Sequence, residues 1–127
     1  MDAGETPAPT VLVVEDSVLA SAGMVALLGH SGYMVTATSN GRLAGEILDA
    51  GPPPDAILLD MWLPEVDGWD FLEWLKDTPH RAIPVIIATG TDVTPEWAAA
   101  HGCAGFLKKP LGPDDVLLEL RRVLRAT

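Results

Sequence analysis

Several things are scarce in this chain, and each scarcity excludes something. Its 127 residues include one cysteine, Cys103, so no disulfide can close within it, and a reducing compartment is expected. No apolar run approaches the roughly 20 residues that a membrane-spanning helix needs. The first ten residues, "MDAGETPAPT", lack the basic and apolar stretches of a secretory leader. A cytoplasmic location with no membrane partner is the expectation. Positive charge is also scarce: eight Lys and Arg against 18 Asp and Glu leave a net charge of −10. That balance argues against direct binding to a nucleic-acid backbone. No Gly-rich phosphate loop of the Walker or dinucleotide type occurs. The three histidines, His30, His80 and His101, are scattered without metal-ligand spacing, which fits structural or solvent-facing roles.

What remains is an ordinary globular composition, 48% hydrophobic and 20% charged, of a length typical of one domain. Residues 1–9 read as a flexible arm and residues 10–127 as the domain. Short β-rich runs stand at "TVLVVE" (10–15), "YMVTAT" (33–38), "AILLD" (56–60), "PVIIAT" (84–89) and "AGFLKK" (104–109). Stretches of helical character fill the intervals, at about 17–30, 40–50, 68–78, 95–101 and 113–126, with turn signals at "SG", "GPPPD" and "GP" between them. Several strands are nearly continuous apolar runs, as expected where helices cover both sheet faces. Five β–α repeats with short connections therefore predict a doubly wound α/β fold with a parallel sheet.

The helical segments carry their own boundary signals. Thr94, Pro95 and Glu96 suit the start of the fourth and Gly102 its end, which leaves it only about seven residues. The fifth opens on Pro113, Asp114 and Asp115 and closes on Arg121, Arg122 and Arg125, each charge at the end its dipole favours. Val116, Leu117, Leu120, Val123 and Leu124 form its apolar stripe. The first differs from all the others: "SVLASAGMVALLG", residues 17–29, holds no charged residue. It is unusually buried, or its outer face meets a partner, or its Ala-rich composition carries no function; its small residues would permit close approach by another helix.

Polar residues collect where the strands end. The first runs into Glu15 and Asp16, the third into Asp60, the fourth into Thr89 and the fifth into Lys108, Lys109 and Pro110. In a doubly wound sheet ligands bind at those carboxyl ends, where the strand order reverses. If the first and third strands are neighbours, three carboxylates crowd one crevice, which a cation must offset. All-oxygen ligands of this charge suit Mg²⁺, and a carboxylate can be a nucleophile toward phosphorus, with a metal and an ammonium offsetting charge on the phosphoryl oxygens.

At this point the chain resembles a family. "VLVVEDS" (11–17), "ILLDMWLPEVDG" (57–68), "IIATG" (86–90) and "FLKKP" (106–110) are similar, in order and approximate spacing, to the receiver domain of two-component response regulators. The resemblance covers essentially residues 10 to 126. It implies a flavodoxin-like (βα)5 fold with strand order 2-1-3-4-5 and a phosphorylatable signalling domain, not an enzyme with a separate substrate. It implies a histidine kinase or phosphotransfer protein as partner and Mg²⁺ as cofactor. Asp60 would be the phosphoacceptor, Asp16 a direct metal ligand, Glu15 a ligand through water and the Trp62 main-chain carbonyl a further ligand. Lys109 would contact the phosphoryl group, across a Lys–Pro bond typically cis in the family. Thr89 would be the switch hydroxyl and Phe106 the switch aromatic, where the family more often has tyrosine. Lys108 is the less suitable ligand, because alternation sends it to the other face, and Asp67 suits a loop or helix cap.

Trp62 and Thr91 occupy positions that would tune the lifetime of the phosphorylated state, and Gly90 stands where Ala or Ser is usual. The interval from Thr89 to Phe106 is shorter than the family's. That shortens the fourth helix and puts in doubt the family's usual assembly face of fourth helix, fifth strand and fifth helix. A protein partner is expected there or on the first helix, Val18–Gly29. Two other readings stand beside this one: a scaffold with a receiver fold that signals without phosphorylation, and, more weakly, a Mg²⁺-dependent phosphatase, which lacks its usual second aspartate because Trp62 occupies the position.

Overall fold

The computed structural model describes residues 7–61, 67–90 and 93–126. Five parallel strands form one sheet, β1 (Thr10–Val14), β2 (Met34–Thr38), β3 (Ala56–Asp60), β4 (Val85–Thr89) and β5 (Gly105–Lys108), in the order β2-β1-β3-β4-β5. The helices are α1 (Val18–His30), α2 (Gly41–Ala50), α3 (Gly68–Lys76), α4 (Pro95–Ala100) and α5 (Pro113–Ala126), with a 3-10 turn at Pro79–Ala82. The flavodoxin-like fold and its strand order are those expected from the sequence.

Strand alternation builds two cores, one on each face of the sheet. Leu12, Val14, Ile57, Leu59, Val85 and Ile87 face Ala44 and Leu48 of α2, Phe71, Leu72 and Leu75 of α3, and Ala98 of α4. Val11, Val13, Ala56, Leu58, Ile86 and Ala88 face Leu28 of α1 and Val116, Leu120 and Val123 of α5. Because β1, β3 and β4 lie inside the sheet and are covered twice, an apolar residue is favoured at nearly every position, which is why "AILL" and "VIIA" show no polar alternation. β2 does not share that burial. It is an edge strand with Met34 62% exposed, and its sequence, with Thr36 and Thr38, is not one of the continuous apolar runs. Cys103 lies against the α3 core, and burial pushes its thiol up to about 11, which keeps it protonated near neutral pH.

The helix starts are set locally. Ser17, Asn40, Asp67 and Thr94 each turn a side-chain oxygen onto a backbone N–H of the first turn, of Ala20, Leu43, Asp70 and Trp97 respectively. Asp67 is thus a helix cap. Gly102 adopts φ +79° after α4, a left-handed conformation that suits glycine. α4 has six residues. At the N-terminal boundary the Met34 N–H donates to the Pro9 carbonyl at 2.9 Å, so the chain is tied to the sheet from Pro9 onward; residues 1–6 of the expected arm lie outside the described residues.

α1 resolves one alternative left by the sequence. It is not deeply buried: Leu28 is its one buried residue, and Val18 and Leu19 are 82% and 86% exposed. Between α1 and α5, and extending to Glu15, Asp60 and Lys109 at the strand ends, lies a cavity of about 370 Å³ bordered also by Met24, Leu27, Leu58 and Val116, consistent with the small residues of α1 filling its inner face incompletely. A Cβ added at Gly23 meets nothing within 4 Å. Gly23→Ala is therefore expected to stabilise the fold by roughly 0.5–1 kcal/mol through helix propensity alone, read as a higher urea midpoint at unchanged slope.

Candidate functional site

The strand order reverses between β1 and β3, because the chain leaves β1 toward β2 on one side and returns to β3 on the other. The connections then diverge and leave a crevice at the carboxyl ends. Glu15 and Asp16 stand on the rim beyond β1, and Asp60 is the last residue of β3. One carboxylate oxygen from each of the three lies within 4.8 Å of the others. The five buried positions of β3 deliver Asp60 there, and it stays only 6% exposed.

A side chain from the fifth strand's end closes the cluster. The Lys109 ammonium donates to Glu15 Oε1 at 3.0 Å and to Asp60 Oδ2 at 3.2 Å. Burial works against its charge, but the Glu15 hydrogen bond and the two carboxylates outweigh burial and hold its pKa above the ordinary value. Its backbone is fixed too: the Lys109 N–H donates to the Thr89 carbonyl at 2.9 Å, and the Lys109–Pro110 peptide is cis. Lys108, one residue earlier, is exposed and pairs across the sheet with Thr89. Thr89 is completely buried at the end of β4, beside Ala88, whose register partner is Asp60. Phe106 is half-buried, packed on the α2–α4 side of the sheet.

The structure thus brings together Glu15, Asp16, Asp60 and Lys109, with Thr89 at the end of the adjoining strand. Trp62 and Thr91 lie outside the described residues. Two contacts were not visible in the sequence. Glu15 is held from both sides, by Lys109 at its Oε1 and by the Ser17 N–H at 3.1 Å to its Oε2. Gly68 is the second. Its N–H donates to the Met61 carbonyl at 3.1 Å, and a Cβ there would lie 2.6 Å from Met61 Cα, so glycine lets α3 begin hard against the residue after the phosphoacceptor candidate. The histidines stand elsewhere: His80 pairs with Asp49 at 3.0 Å, and His101 stacks on Trp97 at 3.8 Å between ring centroids.

Chemically, the site offers three carboxylates of one sign in a shared crevice, a donor set of oxygens alone. Such a set, drawn from Glu15, Asp16 and Asp60, fits a hard divalent cation such as Mg²⁺. A buried carboxylate beside an ammonium also fits transfer of a phosphoryl group.

Comparison with known proteins gives a consistent result. The family model described as "Response regulator receiver domain" matches residues 11–121. The two-component response regulator ORR5 of rice, Oryza sativa subsp. japonica, is 36% identical over 121 residues, which cover 93% of this chain and 90% of that one. The response regulator MprA of Mycolicibacterium vanbaalenii is 30% identical, over 92% of this chain and 51% of its own length. Among solved structures, the signal receiver domain of a histidine kinase from Syntrophus aciditrophicus superposes with a TM-score of 0.84 at 31% identity, covering 94% and 92% of the two chains. The chemotaxis response regulator CheY4 of Vibrio cholerae gives 0.83 at 28%, covering 91% and 98%.

The raised Lys109 pKa carries a sign. A group held protonated by its folded partners stabilises the fold fully below its unfolded pKa, and that contribution disappears as pH rises through the folded value. The stability difference between wild type and Lys109→Met is expected to stay constant from pH 7 to about 10 and to narrow above the ordinary 10.5, measured by urea unfolding across that range. A gap that narrows below pH 9 would contradict the raised value.

Proposed function

The chain belongs to the receiver-domain family of two-component response regulators, and we propose that it accepts a phosphoryl group on Asp60 from a histidine kinase or histidine phosphotransfer protein and signals by shifting between two conformations. Domains of this family are regulatory rather than catalytic. The observation that carries the proposal is the buried Asp60 carboxylate at 3.2 Å from the Lys109 ammonium, in a cluster with Glu15 and Asp16.

In this reading an Asp60 carboxylate oxygen attacks the phosphorus of a phosphohistidine. The P–O bond forms as the P–N bond breaks, and its electron pair returns to the imidazole. Lys109 already neutralises the nucleophile's neighbourhood and needs only to turn its ammonium from carboxylate to phosphoryl oxygen. Mg²⁺ held by Asp16 and Asp60 would offset the remaining charge on the phosphoryl oxygens. Phosphate can shift a conformational equilibrium only by interacting differently with the two states. Thr89 and Lys109, at the ends of adjacent strands, are the groups assigned to that difference, with Phe106 responding on β5.

The donor's position follows from the site. A protein that presents a phosphohistidine to Asp60 must border the β1–α1 turn, and Val18 and Leu19, both strongly exposed, follow the acidic pair there after Ser17. We assign α1 as the docking face for the donor, with the α4–β5–α5 face open to a downstream protein. The net charge of −10 favours protein partners over nucleic acid.

Incubation with Mg²⁺ and acetyl phosphate is expected to add the mass of one phosphoryl group to wild type and none to Asp60→Asn, by intact-mass spectrometry. An unmodified wild type would favour a scaffold that signals without phosphorylation. Trp62, two positions past the phosphoacceptor, is assigned a role in shielding the acyl phosphate from water. Trp62→Ala is then expected to shorten the phosphate lifetime roughly tenfold, the effect of about 1.4 kcal/mol on the barrier; an unchanged or longer lifetime would remove that assignment.

A further inference from the structure

β5 is an outer strand of the sheet, with β4 on one flank and, among the described residues, no strand on the other. Edge strands present backbone donors and acceptors that seek partners. Here two side chains of α5 supply them. Glu119 Oε2 accepts the Phe106 N–H at 2.9 Å, and an Arg122 guanidinium nitrogen donates to the Ala104 carbonyl at 2.8 Å. The two side chains are joined by a forked pair: Arg122 Nε to Glu119 Oε1 at 2.7 Å and Arg122 Nη2 to Glu119 Oε2 at 3.1 Å. Charge-assisted forks of this kind are the stronger class of hydrogen bond.

A second observation points to the same arrangement. A Cβ placed on Gly105, between the two clasped residues, would lie 2.9 Å from Glu119 Oε2, 3.0 Å from Ile86 Cγ1 and 3.1 Å from Val123 Cγ2. The glycine leaves the space in which Glu119 reaches the strand. On its other flank β5 is tied at both ends to β4, by the Ala104 N–H to the Val85 carbonyl at 2.8 Å and the Lys109 N–H to the Thr89 carbonyl at 2.9 Å. The strand that carries Lys109 is therefore gripped from both sides, and one grip belongs to α5.

We propose that Glu119 and Arg122 form a side-chain latch over the edge of β5 that positions Lys109 for phosphoryl transfer to Asp60, so that displacement of α5 is felt at the phosphorylation site. Both are positioning residues, acting through the strand. The proposal rests on the receiver reading for its chemistry and on the hydrogen bonds of β5 for its geometry. By linkage the coupling is reciprocal: whatever the site does to Lys109 returns to α5 as a change in the latch. Arg122 is 57% exposed and Glu119 19%, so the outer half of the latch is within reach of a partner while the inner half is sheltered.

The test uses the full chain, isotope-labelled, in four variants. In Glu119→Ala the Phe106 amide is expected to exchange about tenfold faster or more, the Lys109 side-chain resonances to move, and Asp60 labelling by acetyl phosphate with Mg²⁺ to slow roughly tenfold. Arg122→Ala, at a largely exposed position, is expected to change all three in the same direction. Glu119→Gln keeps an oxygen that can accept the Phe106 N–H and should recover most of the labelling rate. Leu48→Ala opens the core on the opposite face and controls for lost stability; it should leave Lys109 and the labelling rate unchanged. Faster Phe106 exchange with Lys109 resonances and labelling unmoved would reduce the latch to an edge cover and overturn the proposal, as would an unmoved Phe106 amide. If wild type takes up no phosphoryl group, the receiver reading fails separately, and the Lys109 resonances alone decide the latch.

Discussion

Like charges brought to one place must be answered, and in this molecule that requirement organises the site. Glu15, Asp16 and Asp60 reach the same crevice because β1 and β3 are neighbours in a parallel sheet. The Lys109 ammonium, delivered from the far side of β4, donates to two of them. Its reach depends on β5 lying where it does, and β5 lies there because β4 holds one flank and α5 the other. An electrostatic need at the strand ends is thus met by a packing arrangement several residues away. The same lysine is the group proposed to meet a phosphoryl ligand, so in that proposal one cation would serve the carboxylates in one state and the phosphate in the other.

Much of this was legible in the sequence. The five parallel strands follow from apolar runs without alternation, and the starts of two helices from Thr94 and Asp67, because these are local properties of short segments; the strand order was implied by the family resemblance, and the caps at Ser17 and Asn40 were not read. Asp60 stood out because it breaks an apolar run at a predicted strand end, and Lys109 was distinguished from Lys108 by the family resemblance and by strand alternation. What escaped depends on contacts between distant segments. The exposure of β2 follows from its place at the edge, which "MVTAT" does not announce. The 3-10 turn at Pro79–Ala82 is a few residues long and carries no periodicity. Arg122 reads in the sequence as one of three basic residues complementing a helix dipole, whereas its guanidinium binds Glu119 and a strand carbonyl. Nothing in the residue type distinguishes it from Arg121 beside it; only helical phase against the sheet edge does.

α1 shows how the sequence can pose the right alternatives without choosing between them. A helix free of charge is expected either in a core or at an interface. Its Val18 and Leu19 face outward, and the small residues at Ala20 and Gly23 border an incompletely filled cavity. Its stability therefore owes little to an amphipathic stripe and more to its cap at Ser17 and its anchor at Leu28.

The capped helix starts have a consequence for how such a molecule can diversify. Ser17, Asn40, Asp67 and Thr94 each close the first turn of their own helix, so where a helix begins is settled by the helix and not by the length of the loop before it. Residues can then be gained or lost between a strand end and its following helix while both elements keep their places. The short α4 is an instance: residues are few between Thr89 and Phe106, yet Thr94 still opens a helix and Gly102 still ends it. Descendants of one fold can in this way trade recognition loops freely while the strand ends beneath them, with their acids and their lysine, stay in register.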